Sequence, residues 1–566
     1  MSLSATEVGA IVIHELCQQA VHAFVISPGS RSAPLALAAA ASGRQVHVRI
    51  DERTAAFLAL GMGRAAGEDP AAVICSSGTA TANYLPAVVE ADAAGVPLVV
   101  LTADRPTDMR DTGANQTIDQ HRLYGGAVRW FHELGDGDER YIRAVVAEAV
   151  ARATGPWPGP VHLNIPLREP LLDTGSETAQ RVAEVRHSNP GPGFAPRYRV
   201  TAEADETGHA DSWLRGRPGV IVAGEGTVAD SRLFELADRL GMPVLAEPTS
   251  GLRAQSALRC GHWLAASAGF VAANRPEVVI QLGRPILSRP ITALIAGADE
   301  VITCDPLARG WDPGRHTTHR VVQRIEEWAA DAPDGDRAFL ERWRDADAIA
   351  GRILDQHLDA AGQPTELGIT RDLAAAMPQG SQLVVASSLP IRHLNEVMHP
   401  DEGLRVVGNR GASGIDGFVS TAVGVALAAE EIGFQTPVAA LSGDLSIIHD
   451  MTGLVIGEGE PLPSLPIVVL NNDGGGIFDL LPYGRHVDAA TFRRIFATPP
   501  GLPLQGLALT MGHGFTHVED PAELAQVLQD AWCAPGLTLI EIVTDTPSET
   551  ARHRSIAAAI AEALAG

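Results

Sequence analysis

The sequence contains no lysine: all 43 of its basic residues are arginine. That absence removes whole classes of chemistry. No Schiff base can form, pyridoxal phosphate has no attachment point, and a P-loop has no lysine for its phosphates. Carboxylate recognition falls to guanidinium forks and neutral donors. Basic residues are also outnumbered, and a net charge of −25 lacks the basic face through which nucleic acid is held. A local arginine cluster can still receive a small anion against that global field. Long apolar runs are missing too. None reaches the roughly 20 residues of a membrane span, and the stretch MSLSATEVGAIVIHELCQQA reads as an amphipathic first helix without the basic start of a signal peptide. Cysteine is sparse: positions 17, 75, 260, 304 and 533 show no metal-ligand spacing. Their odd number fits reduced, buried thiols in a cytoplasmic protein.

What is present is a repeated pattern. A chain of 566 residues is too long for one core and implies about three domains. Three blocks alternate short β-rich runs with helical spacing, the signature of parallel α/β sheets. In the first block the strands are expected within 23–30, 46–52, 71–80, 96–104 and 159–166, with helices over 54–65 and 80–94. The second block places them within 218–226, 242–248, 277–283, 300–306 and 319–323. The third places them within 382–388, 404–409, 437–444, 466–473 and 537–545. A Pro/Gly-bearing stretch around SNPGPGFAPRY has linker composition, and a charged, helix-prone segment leads out of the second block. The expected fold class is α/β, with three doubly wound parallel-sheet domains at 1–180, 217–330 and 366–566 joined by linkers at 181–216 and 331–365.

The chain is organised around PVAALSGD and PIVVLNND. Each apolar run reads as a buried strand that ends in a small polar cluster. Ligands of open α/β sheets collect at the carboxyl ends of strands, so Asp444 and Asn472 are placed to converge. With a backbone carbonyl near Gly474 they form an oxygen-only site that suits Mg²⁺. The two side chains are 28 residues apart, the length of a strand–helix–strand excursion. A Gly-Asp followed at that distance by Asn-Asn resembles the metal–diphosphate motif of thiamine diphosphate (ThDP) enzymes. That chemistry also requires a carboxyl group hydrogen-bonded to the coenzyme's aminopyrimidine. Glu52, read as the end of the strand VHVRIDE, fits the role, with burial expected to raise its pKa.

Two further constellations accompany these. GNRGASGIDGFVSTAVGVALA is a glycine-rich turn running into a small-residue helix, a pattern whose backbone N–H groups cradle phosphates. Ile415 within it is expected to be an apolar wedge under a bent coenzyme, and IFDLL at 477–481 to add apolar lining. Arg31, Arg105, Arg289, Arg392 and Arg410 recur at what read as the ends of five different strands. As a set they suit bidentate clamping of a multiply carboxylated substrate, with Asn115 and Gln116 of GANQ as neutral donors. GEGT at 224–227 lacks the full dinucleotide fingerprint and is read as a structural turn.

The motifs SPGSRSAPL, DERTAAF, LTADRP with GANQ, GNRGASGIDG, GDLSIIHDMTGL and NNDGGGIF together resemble one branch of the ThDP enzymes, the 2-succinyl-5-enolpyruvyl-6-hydroxy-3-cyclohexene-1-carboxylate (SEPHCHC) synthases of menaquinone biosynthesis. The resemblance covers the first and third blocks at many points and the middle one thinly. It implies pyrimidine-binding, middle and diphosphate-binding domains, with ThDP and Mg²⁺ (or Mn²⁺) as cofactors and 2-oxoglutarate and isochorismate as substrates. It also implies a cytoplasmic homodimer or homotetramer, with each site built by two protomers. The matching cofactor positions are Glu52, Ser388, Leu389, Gly411, Ile415, Gly443, Asp444, Leu445, Asn472, Gly474, Gly476 and Ile477. The metal would take Asp444, Asn472 and Gly474. The matching substrate positions are Ser30, Arg31, Arg105, Asn115, Gln116, Arg289, Ser388, Arg392, Arg410, Phe478 and Leu481. Ser288 departs from members that carry lysine there. Two other readings share part of this pattern: a different ThDP-dependent decarboxylase or carboligase of the acetolactate-synthase type, and a non-catalytic protein that binds a nucleotide for regulation.

Overall fold

The protein is described by a computed structural model covering residues 3–67, 69–173, 175–187, 210–214, 216–254, 256–360, 364–431, 433, 436–481 and 486–565. Most of the stretch expected as a linker at 181–216 lies outside the described residues. The apolar runs of the sequence become the central strands of three sheets. The first contains β1 (Ala23–Ile26), β2 (Gln45–Val48), β3 (Ala71–Cys75), β4 (Leu98–Asp104), β5 (Trp130–Glu133) and β6 (Pro160–Pro166), in the order β2-β1-β3-β4-β6-β5. The second contains β7 (Gly219–Ala223), β8 (Val244–Ala246), β9 (Val278–Leu282), β10 (Glu300–Cys304) and β11 (His319–Val321), in the order β11-β10-β9-β7-β8. The third contains β12 (Gln382–Val385), β13 (Arg405–Val407), β14 (Val438–Gly443), β15 (Leu465–Asn471), β16 (Gly514–His517) and β17 (Leu537–Val543), in the order β13-β12-β14-β15-β17-β16. Every strand pairing in the three sheets is parallel.

The first and third sheets share one strand order. In each, the order reverses between the first and third strands of the block, which opens a crevice at their carboxyl ends. Strands such as β3 and β4 are buried along their whole length, as parallel strands covered by helices on both faces must be. Two strands escape the apolar pattern. β5 (WFHE) and β16 (GFTH) are sheet-edge strands with partly exposed, mixed side chains, so neither carries a buried-strand signature.

The described chain divides into two compact units. One is Met1–Thr201 with Asn409–Gln435 and Ser446–Pro463, and the other is Ala202–Gly408 with Thr436–Leu445 and Ser464–Gly566. In the first unit the Glu52–Ala66 helix packs against the Phe418–Glu431 helix. A Cβ on Gly61 would stand 2.2 Å from the carbonyl oxygen of Thr421, and one on Gly424 would stand 2.2 Å from that of Leu58. Only glycine allows the two backbones this close. In the second unit one apolar core contains Val220 and Val279 of the second sheet together with Trp343, Leu367, Val397 and Ile556.

Cys75, Cys260 and Cys304 are buried and Cys17 is partly so, whereas Cys533 is exposed near the end of a surface helix, contrary to its expected burial. The GEGT turn is held by Thr227 Oγ1 donating to the Gly224 carbonyl and by a 3.3 Å pair between Glu225 and Arg284. No described helix is long and apolar enough to cross a membrane.

Candidate active site

In the second unit, the crevice between β12 and β14 collects the polar residues at the ends of those strands. β12 runs out through Ser387 to Ser388, which holds φ at +74° before the Leu389–Val397 helix begins. β14 ends at Gly443 and passes into Asp444 and Leu445; the neighbouring β15 passes into Asn472. Asp444 is only 2% exposed. Burial pushes its carboxyl up to about 6, against partial relief from the backbone N–H groups of Leu445 and Gly474. Its Oδ2 is buried and has no hydrogen-bond partner, and the same is true of Asn472 Oδ1.

Two orphaned oxygens at adjacent strand ends are what an oxygen-seeking cation would satisfy, so these residues fit a divalent metal. The orientation of Asn472 is set from behind: its Nδ2 donates to Glu366 Oε1 at 2.8 Å, leaving the amide oxygen free. Gly474 has φ +133°, and a Cβ there would stand 2.1 Å from the Ala497 carbonyl oxygen. No side chain fits this position. Gly476 and Ile477 open the helical turn Gly476–Leu480. Phe478 in that turn is half-buried, its ring 5.6 Å from that of Phe496, and Leu481 follows, half-buried.

The first unit carries the other predicted residues. Glu52 is not at a strand end. β2 stops at Val48, and Glu52 is the first residue of the Glu52–Ala66 helix. Asp51 caps that helix, its side chain accepting from the Arg53 N–H at 2.9 Å and from Thr452 Oγ1 at 2.8 Å. Glu52 is half-buried rather than buried, and Asn83 Nδ2 donates to its Oε2 at 3.2 Å.

At the crevice between β1 and β3, Ser77 gathers several of the expected substrate residues. Its Oγ donates to the Gln116 carbonyl at 2.9 Å, while Gln116 Nε2 donates to the Ser77 carbonyl at 2.9 Å. Arg105, 8% exposed, donates to Ser77 Oγ. Its guanidinium is held below the usual arginine range by desolvation and by the neighbouring charge of Arg31. Arg31 donates to the Leu167 carbonyl at 3.0 Å and reaches Glu169, whose carboxylate faces solvent. Ser30 lies in the same turn. Asn115 is exposed.

Several expectations are corrected. The five arginines do not all follow strands. Arg289 is exposed at the start of the Arg289–Ala296 helix, and Arg392 lies in the first turn of the Leu389–Val397 helix, donating to the Ser388 carbonyl at 2.6 Å. Both follow their strands at a distance of seven residues, past β9 and β12, inside the helices that begin there. Arg410, 3% exposed, does lie in the loop after β13. Nor are the glycine-rich loop's first amides open to a phosphate: the N–H groups of Gly411 and Ala412 donate to the Glu90 carboxylate at 2.7 and 2.6 Å. Ile415 is half-buried in that loop.

Sequence reasoning also passed over Glu366, Ser77 and Glu90. Ser77 had a signal, a serine–glycine turn after a buried strand. Glu366 and Glu90 look like ordinary helix acids, and only tertiary contacts reveal them.

Comparisons with known proteins bear on the family and the fold. Residues 6–123 match the model described as the N-terminal TPP-binding domain of thiamine pyrophosphate enzymes, and residues 195–385 match that of their middle domain. A structure described as a thiamin diphosphate-dependent enzyme from Mycobacterium smegmatis superposes with a TM-score of 0.69, covering 96% of this chain and 100% of that one at 19% identity. Among curated relatives, the 2-succinyl-5-enolpyruvyl-6-hydroxy-3-cyclohexene-1-carboxylate synthase of Thermobifida fusca is 43% identical over 99% of both chains. The synthase of the same name from Saccharopolyspora erythraea is 38% identical over 99% of this chain and 100% of its own. Three parallel sheets and these matches define a thiamine diphosphate-dependent α/β enzyme. Within that class, the chain belongs to the SEPHCHC synthase family.

Proposed function

We propose that the protein decarboxylates 2-oxoglutarate and adds the resulting four-carbon unit in conjugate fashion to isochorismate, in menaquinone biosynthesis, with ThDP and Mg²⁺ or Mn²⁺ as cofactors. The observation that carries the reading is the pair of orphaned oxygens, Asp444 Oδ2 and Asn472 Oδ1, at adjacent strand ends in a chain of this family. Asp444, Asn472 and the Gly474 carbonyl would hold the metal, and the metal the coenzyme's diphosphate. Bound ThDP supplies the electron sink for decarboxylation and for transfer to the acceptor.

The protein's part is to bind, orient and neutralise. Glu52 would hold a proton against the coenzyme's aminopyrimidine. Gly443, Leu445, Ser388, Leu389, Gly476 and Ile477 would enclose the diphosphate, and Ile415 would support the bent coenzyme. Arg31 and Arg105 are two neighbouring guanidiniums, one of them desolvated, and they gain most from a substrate carboxylate between them. Gln116, Asn115 and Ser30 would add neutral donors around it, and Arg392, Arg410, Arg289, Phe478 and Leu481 would contact the remainder of the two substrates.

Two copies of the chain would complete each site, the Glu52 half of one copy meeting the Asp444 half of the other, in a homodimer or homotetramer of the cytoplasm. The domain limits fitting this arrangement are 1–180 for the pyrimidine side, 217–330 for the middle domain and 366–566 for the diphosphate side.

The test is a reaction mixture of enzyme, ThDP and Mg²⁺ with 2-oxoglutarate or pyruvate, each with and without isochorismate. The proposal expects SEPHCHC from 2-oxoglutarate plus isochorismate alone. A carboligation product from pyruvate instead would favour the acetolactate-synthase type of activity.

A further inference from the structure

In the second unit, three segments distant in sequence meet around one carboxylate, and His553 also lines a small cavity with Leu389, Gly476 and Glu366. Glu396, near the end of the Leu389–Val397 helix, is 6% exposed. Its Oε1 stands 3.5 Å from Nε2 of His262, on the Gly261–Ala266 helix, and its Oε2 stands 3.2 Å from Nε2 of His553, on the Thr546–Ala563 helix. The three ligand atoms lie within 4.8 Å of one another. Oε2 is buried and has no aligned hydrogen-bond partner.

Neighbouring groups orient the His262 ring and wall the cluster. His262 Nδ1 is 3.0 Å from Ser288 Oγ, a contact that turns its Nε2 towards Glu396. The Trp263 indole donates to the Glu396 carbonyl at 3.0 Å and its ring lies 4.8 Å from that of His553, walling the cluster with apolar surface.

We propose that His262, Glu396 and His553 form a binding site for a borderline divalent transition metal, Zn²⁺ by preference, separate from the Asp444–Asn472 site. Two imidazole nitrogens and one carboxylate are a zinc donor set. At metal–ligand distances of about 2.0–2.2 Å, tetrahedral ligands sit roughly 3.3 Å apart, so the imidazoles, now within reach of different Glu396 oxygens and with the three ligand atoms within 4.8 Å, would draw in around one ion. The fourth position would take water. The Nδ1 contact of His262 with Ser288 is the kind of outer hydrogen bond that orients a metal-bound imidazole. When Nδ1–H donates to Ser288, the Nε2 lone pair of His262 and the carboxylate face each other, and a cation between them removes the repulsion.

The bound ion would tie the C-terminal helix to the Leu389–Val397 helix and the Gly261–Ala266 helix, a structural role.

The test uses the full chain, stripped of metal with a chelator and then saturated with Mg²⁺ and ThDP so that the oxygen-only site is occupied. Co²⁺ is the probe. The proposal expects one Co²⁺ per chain with the intense visible absorption of a four-coordinate ion, displaced by one equivalent of Zn²⁺, and a higher unfolding temperature with Zn²⁺. The double variant His262→Gln, His553→Gln should lose at least 100-fold in Co²⁺ affinity. Undiminished four-coordinate binding in that variant, or only weak six-coordinate absorption in the parent chain, overturns the proposal. Should the variant fail to fold, zinc-edge X-ray absorption of the parent chain decides: two imidazoles with oxygen support the site, and oxygen ligands alone overturn it. None of these readings depends on the proposed reaction.

Discussion

Asn472 donates its amide hydrogen to Glu366 Oε1 at 2.8 Å, and this bond decides which atom of the amide is free for a metal. Glu366 is itself 1% exposed, accepts from Thr544 Oγ1 at 2.9 Å, and stands 3.4 Å from His393 Nδ1. It is a positioning residue, one step behind the candidate ligand. Replacing Glu366 with Ala releases the amide to rotate and should weaken Mg²⁺-dependent ThDP binding by about 10- to 100-fold. Calorimetric titration of ThDP at fixed Mg²⁺ reads this directly. Unchanged affinity would show that the Asn472 orientation is held by something else.

The two glycines between the Glu52 helix and its partner make a second prediction. Gly61→Ala places a methyl group 2.2 Å from the Thr421 carbonyl oxygen, so the helices must separate. Overpacking of this kind costs about 1–3 kcal/mol, visible as a lower midpoint in denaturant unfolding. Because Glu52 opens that helix, kcat should fall as well.

Glu52 can be tested without disturbing the packing. Glu52→Gln keeps the shape and the Asn83 contact but removes the exchangeable carboxyl proton. ThDP affinity should stay within a few-fold, while kcat drops by about 10²–10⁴, the range for losing a positioned acid–base group. Normal turnover in this variant would remove Glu52 from the proposed site.

Arg105 tests the carboxylate clamp. Hydrogen bonds to charged groups contribute about 1.5–3 kcal/mol, so Arg105→Met should lower kcat/KM for a carboxylate substrate by roughly 10- to 100-fold, with ThDP affinity unchanged. Arg105→Lys should recover little of this, because an ammonium lacks the planar fork. Steady-state kinetics with each substrate varied in turn shows which carboxylate the residue serves.

The legible parts of this molecule were those fixed locally. Asp444 and Asn472 were found because buried parallel strands announce themselves as apolar runs, and the residues just past the end of such a run lie at the crevice. β5 and β16 were not found because an edge strand needs no apolar run. Glu52 was expected at the end of β2 and instead opens a helix, since nothing in IDERT separates a strand end from a helix start until Asp51 is seen to cap. The Gly411 amides were read as open because composition cannot reveal that the distant Glu90 already occupies them. The contact of Glu366 with Asn472 and the His262–Glu396–His553 group were invisible for the same reason: these partners are more than a hundred residues apart in sequence.

Asp450 in the motif GDLSIIHDMTGL supplies a pH test. It is fully buried, and its Oδ2 accepts from both the N–H and the hydroxyl of Ser420 at 2.8 Å. Desolvation nevertheless pushes its carboxyl up to about 6, with Asp51 adding to the rise and Ser420 and the more distant Arg53 opposing it. A raised carboxyl favours folding while it keeps its proton. That stability is fully present below the unfolded value near 3.8 and is lost as pH rises through about 6, on the order of 3 kcal/mol in all. Asp450→Asn retains an oxygen for Ser420 but cannot ionise. Comparing denaturant unfolding near pH 5 and pH 7.5, the parent chain should lose more stability on going to the higher pH than the variant does. At the higher pH the variant should be at least as stable as the parent. An equal pH dependence in the two proteins would mean that Asp450 is already ionised throughout this range.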